Sequence, residues 1–103
     1  MKPKTPMPKV SVIVLSYNKA LYISETLNNL LFQQASLEEI LIIDDCSSDG
    51  SQNLIKNFAK SSKKISAILN KNNTGIIANL NLGLKLAKGT HIPPAVGTHF
   101  PSQ

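Results

Sequence analysis

Three aspartates, Asp44, Asp45 and Asp49, fall within six residues of the run Glu39-Ile-Leu-Ile-Ile-Asp-Asp-Cys-Ser-Ser-Asp-Gly-Ser51. The apolar, β-branched stretch before the pair reads as a strand, so Asp44 and Asp45 stand at a strand's carboxyl end. Adjacent strand residues point to opposite faces, and only one of the pair can look into a cleft above the sheet edge. The two therefore need different roles. Acids at strand-to-helix turns accept loop N–H groups or cap helices, which suits Asp44 and Asp49. The same chemistry turned outward makes Asp45 an acceptor for an N–H on a ligand, through a charge-assisted hydrogen bond.

Other chemistries find no support. The turn Ser16-Tyr-Asn-Lys19 contains no glycine, so the dinucleotide fingerprint is missing where a strand meets its first helix. Gly83-Leu-Lys-Leu-Ala-Lys-Gly89-Thr90 has the wrong spacing for a phosphate loop and sits on a helix. His91 and His99 lie in a Pro-rich stretch with no Cys or carboxylate at ligand spacing, which argues against zinc. A lone Cys46 can build no intrachain disulfide. The triplet Asn72-Asn73-Thr74 fits a glycosylation acceptor only in a secreted chain, and the first residues carry no signal peptide. Nor is there a transmembrane segment, since no run approaches the roughly 20 apolar residues required. The formal charge of +5 invites a nucleic-acid partner, yet all 11 cations are lysine and Trp is absent. Without arginine forks and with few stacking platforms, nucleic acid is set aside.

These residues need a scaffold to position them. At 103 residues and 42% hydrophobic, the chain makes one domain or part of one. Prolines at 3, 6 and 8 and at 93, 94 and 101 confine regular structure to Lys9–Ile92. Residues 1–9 read as a Pro/Lys-rich tail, 10–92 as the folded unit and 93–103 as a second Pro-rich tail. Within the unit, Val10–Leu15, Glu39–Asp44 and Ile65–Leu69 read as strands. Ile23, Leu27, Leu30 and Leu31 mark one helix face, Leu54, Ile55, Phe58 and Ala59 a second, and Ile76, Ile77, Leu80, Leu84 and Ala87 a third. Asp49 or Ser51 is the expected N-cap of the second helix and Gly89 the C-cap of the third. The order β-α-β-α-β-α predicts an α/β fold, a three-layer sandwich with a parallel sheet. Such sheets bind ligands at the carboxyl ends of their strands, here Ser16–Lys19, Asp44–Gly50 and Asn70–Gly75. Receiver domains also carry paired acids, but after their first strand and with a later Asp where this chain has Asn70.

Taken together, Lys9-Val-Ser-Val-Ile-Val-Leu-Ser-Tyr-Asn18, Glu39 to Ser51, Asn72-Asn-Thr-Gly75, Asn81-Leu-Gly83 and Ala87-Lys-Gly89 resemble the N-terminal half of family 2 glycosyltransferases, over about residues 8 to 92. The resemblance implies the N-terminal half of a GT-A fold, a nucleotide-diphosphate-sugar donor, of which a UDP-sugar is expected, and sugar transfer to a saccharide or lipid-linked acceptor in surface polysaccharide biosynthesis. It places Ser16, Tyr17 and Asn18 at the nucleotide, with Tyr17 stacking on uracil. Asp45 accepts the uracil imide N–H, Asp44 supports it, and Gly75 permits close backbone approach. It further implies a cytoplasmic protein, at most peripheral to the inner face of the membrane.

The family often has an Arg reaching the diphosphate where this chain has Leu80. Its metal-binding Asp-x-Asp motif, which holds Mg or Mn, follows the strand equivalent to Thr90-His-Ile92, whereas here Pro93-Pro94 follows and no acid occurs after Asp49. No metal or catalytic residue is therefore expected in this chain, which is expected to be inactive alone. The alternative is a non-catalytic nucleotide-binding half-domain or interaction module. Breaking the strand at Pro93 is also expected to leave the first strand, residues 10–15, as an open edge, a route to self-association that Ile13→Lys relieves if that position is uncovered.

Overall fold

The computed structural model describes residues 9–33, 36–89 and 96–97. The elements are β1 (Ser11–Ser16), α1 (Ala20–Gln33), β2 (Glu39–Asp44), α2 (Ser51–Ser61), β3 (Ile65–Leu69), α3 (Ile76–Leu86) and β4 (Val96–Gly97). All pairings are parallel, in the order β3-β2-β1-β4. Every residue of β1 and β2 is buried, which accounts for their near-continuous apolar sequence: a strand covered on both faces has no solvent side to alternate toward. On one face Val12, Val14, Ile40 and Ile42 pack with Ile23, Leu27 and Leu30 of α1 and Ile55 of α2. On the other, Ile13, Leu15, Leu41 and Ile43 meet Leu80 and Leu82 of α3. The result is the α/β three-layer arrangement expected.

The open-edge expectation for β1 is corrected at its carboxyl half; among the described residues Ser11–Ile13 pair with β2 alone. Val14 pairs with Val96 and Leu15 with Gly97, so β1 lies inside the sheet between β2 and β4. The strand start at Thr90–Ile92, the breaking pair Pro93-Pro94, His91, His99 and the tail 1–8 lie outside the described residues. Ile13 is 1% exposed and sits under α3, where a Cβ on Gly83 would come within 2.8 Å of its Cγ2. Gly83 thus lets α3 settle onto the sheet, and Ile13 is core.

The third helix also packs on a different stripe from the one its period suggests. Its buried residues are Asn79 and Gly83, while Ile77 is 68% and Leu84 46% exposed. α3 is apolar nearly all round, so hydrophobicity alone does not orient it. Its C-cap is Ala87 rather than Gly89. Gly89 instead makes a close approach: a Cβ there would fall 2.5 Å from the Lys9 carbonyl. Its N–H donates to Ser11 Oγ at 2.7 Å, and Ser11 Oγ donates to Glu39 Oε2 at 2.8 Å, which also accepts the Lys88 N–H. This latch ties the chain after α3 to the amino ends of β1 and β2, opposite the loop edge.

Candidate functional site

The in-register pairing of β1 with β2 sets Ser16 beside Asp44. Ser16 Oγ donates to Asp44 Oδ1 at 2.8 Å, and Asp44 is fully buried. Its remaining acceptor positions take Ser47 N (2.8 Å), Ser47 Oγ (2.6 Å) and Gln52 Nε2 (3.0 Å). Asp44 is therefore the staple of the second loop. Asn18, at φ 48, donates its N–H to Ser47 Oγ and accepts the Ser48 N–H on Oδ1, both at 2.8 Å. The left-handed conformation is one that Asn tolerates better than most residues, and it locks the first loop to the second. Tyr17, next to Asn18, is half-buried.

Asp45 faces the third loop. Thr74 N donates to Oδ1 at 2.7 Å and Gly75 N to Oδ2 at 3.1 Å, and Asn70 Nδ2 reaches Oδ1 at 3.3 Å. Gly75 has φ 93 and ψ 160, a region open essentially to glycine alone, and this turn aims its N–H at the carboxylate. Asn70 and Thr74 are themselves held by buried Asn79, whose Oδ1 accepts Asn70 Nδ2 and Thr74 Oγ1 at 2.8 Å each. All the expected residues thus lie at one edge of the sheet, with Ser16, Asn18, Asp44, Asp45 and Gly75 joined by hydrogen bonds within and between the three loops.

The expected N-cap on α2 needs correction. Gly50 occupies that position, with no side-chain cap. Asp49 instead bridges two helix starts: its Oδ1 accepts Ser51 N at 3.0 Å and its Oδ2 accepts Ala20 N, at the start of α1, at 3.0 Å. Beside it opens a depression of about 390 Å³ lined by Lys19, Ala20, Leu21, Tyr22, Glu25 and Asp49. Ser47, Gln52 and Asn79 escape sequence reasoning. A Ser two residues past an acid pair and amides inside helices carry no spacing signal, and only the fold brings them to the loops.

Burial works against ionisation of Asp45, but hydrogen bonds from Thr74, Gly75, Asn79 and Asn70 outweigh it and hold the carboxyl below the usual aspartate range. Asp49 is lowered in the same way, burial again opposed by bonds from Ser51 and Ala20. A depressed folded-state pKa contributes stability above the unfolded value, about 4 for aspartate, and that contribution is lost as pH falls through the folded value. The melting temperature is accordingly expected to fall on acidification below about pH 4. Asp45→Asn should flatten that acid limb in thermal melts taken at a series of pH values, and an acid limb of unchanged slope would contradict the assignment.

A parallel sheet with helices on both faces and three interlocked polar loops at its carboxyl edge has the architecture of a GT-A nucleotide-sugar transferase domain. The chain belongs to glycosyl transferase family 2, whose model matches residues 11–92. It is 33% identical over 87 residues to the GalNAc(5)-diNAcBac-PP-undecaprenol beta-1,3-glucosyltransferase of Campylobacter jejuni, covering 84% of this chain and 28% of that protein. It is 30% identical over 83 residues to the glycosyltransferase GlyG of Streptococcus pneumoniae, covering 81% and 28%. Among solved structures, the Pyrobaculum calidifontis mannosyltransferase PcManGT, in complex with GDP-Man and Mn2+, superposes with TM-score 0.72 at 28% identity, over 85% of this chain and 27% of that one. S. aureus TarS gives TM-score 0.72 at 30% identity, over 86% and 16%. The chain thus spans a little over a quarter of the length of these two sequence relatives.

The divalent metal that the family implies does not fit the residues described. Among them, no group of three or more His, Cys, Asp or Glu side chains could hold a metal ion. Asp44, Asp45 and Asp49 are each turned to separate hydrogen-bond partners. Among the described residues, no helix is long and apolar enough to cross a membrane.

Proposed function

We propose that this chain forms the donor-nucleotide part of a family 2 glycosyltransferase and receives a UDP-sugar at the edge built by Ser16, Tyr17, Asn18, Asp44, Asp45 and Gly75. The observation that carries this reading is the Asp45 carboxylate, kept ionised at the carboxyl edge by donors from the third loop. An ionised carboxylate accepts an N–H, and the uracil imide supplies one. Tyr17, in the adjoining loop, offers the aromatic face for stacking, a contact worth about 1 to 3 kcal/mol per base. The Campylobacter relative, whose name carries a saccharide on PP-undecaprenol, supports a lipid-linked or saccharide acceptor; surface polysaccharide assembly in the cytoplasm, at most peripheral to the inner membrane face, is part of the same proposal.

A second reading, a nucleotide-binding module without catalysis, is favoured by Pro93-Pro94 standing where the family's Asp-x-Asp segment would follow Thr90-His-Ile92. Titrating UDP into the chain by calorimetry tests the first point. Binding is expected in the wild type and about 10- to 100-fold weaker binding in Asp45→Ala, the effect of one charge-assisted bond. Equal affinity in the two proteins would refute the role of Asp45. Turnover of a UDP-sugar by this chain would exclude the second reading.

A further inference from the structure

One buried residue of α3 is out of keeping with its helix. Six of the eleven residues of α3 are isoleucine or leucine, yet the two it buries are Gly83, which fits over Ile13, and Asn79, 3% exposed. An amide is tolerated in such a place only with its polar atoms paired. Asn79 Oδ1 accepts Asn70 Nδ2 and Thr74 Oγ1 at 2.8 Å each, and the Asp45 carboxylate takes a further hydrogen bond from the Asn79 side chain. A carboxylate only accepts, so that bond comes from Nδ2. The backbone repeats the link, since Asn79 N donates to the Gly75 carbonyl at 3.1 Å and Gly75 N donates to Asp45 Oδ2 at 3.1 Å. Position 79 therefore accepts on one side, from the third loop, and donates on the other, to the carboxylate that follows β2. Neither an apolar side chain nor an ionised acid can do both.

We infer that Asn79 is a positioning residue for nucleotide binding: from beneath the loops its amide holds Asp45 in the orientation that meets a base, so affinity depends on a donor at position 79. This rests on the reading of Asp45 as the base acceptor. Buried as it is, Asn79 acts through Asp45 and not by contact with the ligand. The geometry separates two functions within the one amide. Oδ1 clamps the third loop to α3, and Nδ2 sets the carboxylate. Asn79→Asp keeps the first and inverts the second: the new carboxylate still accepts from Asn70 and Thr74, while its other oxygen turns a negative charge toward Asp45 in place of an N–H. Like charges at that range repel, so Asp45 turns away or takes up a proton, and either change removes the acceptor that a uracil imide needs. Asn79→Ala removes both halves.

The test uses the full chain as wild type, Asn79→Asp and Asn79→Ala, and measures UDP affinity by calorimetry, uridine affinity by chemical-shift titration and the Asp45 carboxyl titration by carbon-13. Asn79→Asp is expected to bind UDP and uridine about tenfold more weakly at neutral pH and to raise the Asp45 pKa. Asn79→Ala is expected to lower both affinities about fivefold and to raise that pKa less. A residue that only clamped the loop would leave Asn79→Asp like the wild type. Unchanged UDP affinity in Asn79→Asp overturns the inference. So does a loss for UDP without one for uridine, which would mean that the added charge repels the diphosphate. If Asn79→Asp does not fold, Asn79→Ala decides, and an Asp45 pKa that stays put there overturns the inference. If the wild type binds neither UDP nor uridine, it is the base-acceptor reading that fails. A raised Asp45 pKa in the variants then still supports the hold of Asn79 on Asp45, and an unmoved one overturns that as well.

Discussion

Ile13→Lys is expected to unfold the chain. The position is 1% exposed, paired with Leu41 of β2 in the sheet and beneath Gly83 of α3. A lysine there must either bury an ammonium with no partner or push α3 off the sheet. Burying an unpaired charge costs several kcal/mol, comparable to the whole stability of about 5 to 15 kcal/mol of a small domain. The amide proton–nitrogen spectrum of the variant is expected to collapse to the narrow dispersion of an unfolded chain. The matched control is Ile77→Lys, 68% exposed on the outer side of α3, which should stay within about 0.5 kcal/mol of the wild type. A folded Ile13→Lys, or an unfolded Ile77→Lys, would contradict the packing described. Relief of an open edge by a lysine at 13 was expected only if that position is uncovered, and it is covered by α3.

Asp44→Ala is the second large effect. The carboxylate is fully buried and accepts from Ser16 Oγ, Ser47 N, Ser47 Oγ and Gln52 Nε2. Removing it leaves several donors with no acceptor, and each buried orphan costs about 1 to 3 kcal/mol before relaxation. A loss of about 3 kcal/mol is expected, lowering Tm by about 15 °C in a chain of this size. Circular-dichroism melts decide this, and a loss below about 1 kcal/mol would show that water or a neighbouring group replaces the carboxylate.

Much of this was legible in the sequence because β1 and β2 are unambiguous. Their β-branched runs are too short for helices, too apolar to face solvent on either side, and each ends in a polar turn. Once those strands are parallel neighbours, Ser16, Asn18, Asp44 and Asp45 must fall at one edge. α1 declared its face through Ile23, Leu27 and Leu30, spaced four and three apart, although Leu21, Tyr22 and Phe32 of the same helix stay exposed. α3 did not, since Ile77 and Leu84 are as apolar as Leu80 and Leu82, and the stripe that meets the sheet holds Asn79 and Gly83, residue types that do not announce a core. The same blind spot hid the loop clamp. Asn79 reads as a surface amide until the backbone brings it to Asn70 and Thr74. Asp49 was recognisable as a capping acid, but its reach to Ala20 on α1 depends on how two loops meet in space.

A uridine nucleotide is expected to bind where the first three strands end, and amide chemical-shift mapping during a UDP titration decides the point. The largest shifts are expected at Tyr17, Asn18, Asp45, Thr74 and Gly75, with the latch around Ser11, Glu39 and Gly89 at the far end of the sheet unmoved. Shifts centred elsewhere, on the groove lined by Leu31, Asn57, Phe58 and Ser61 for example, or none at millimolar UDP, would contradict it.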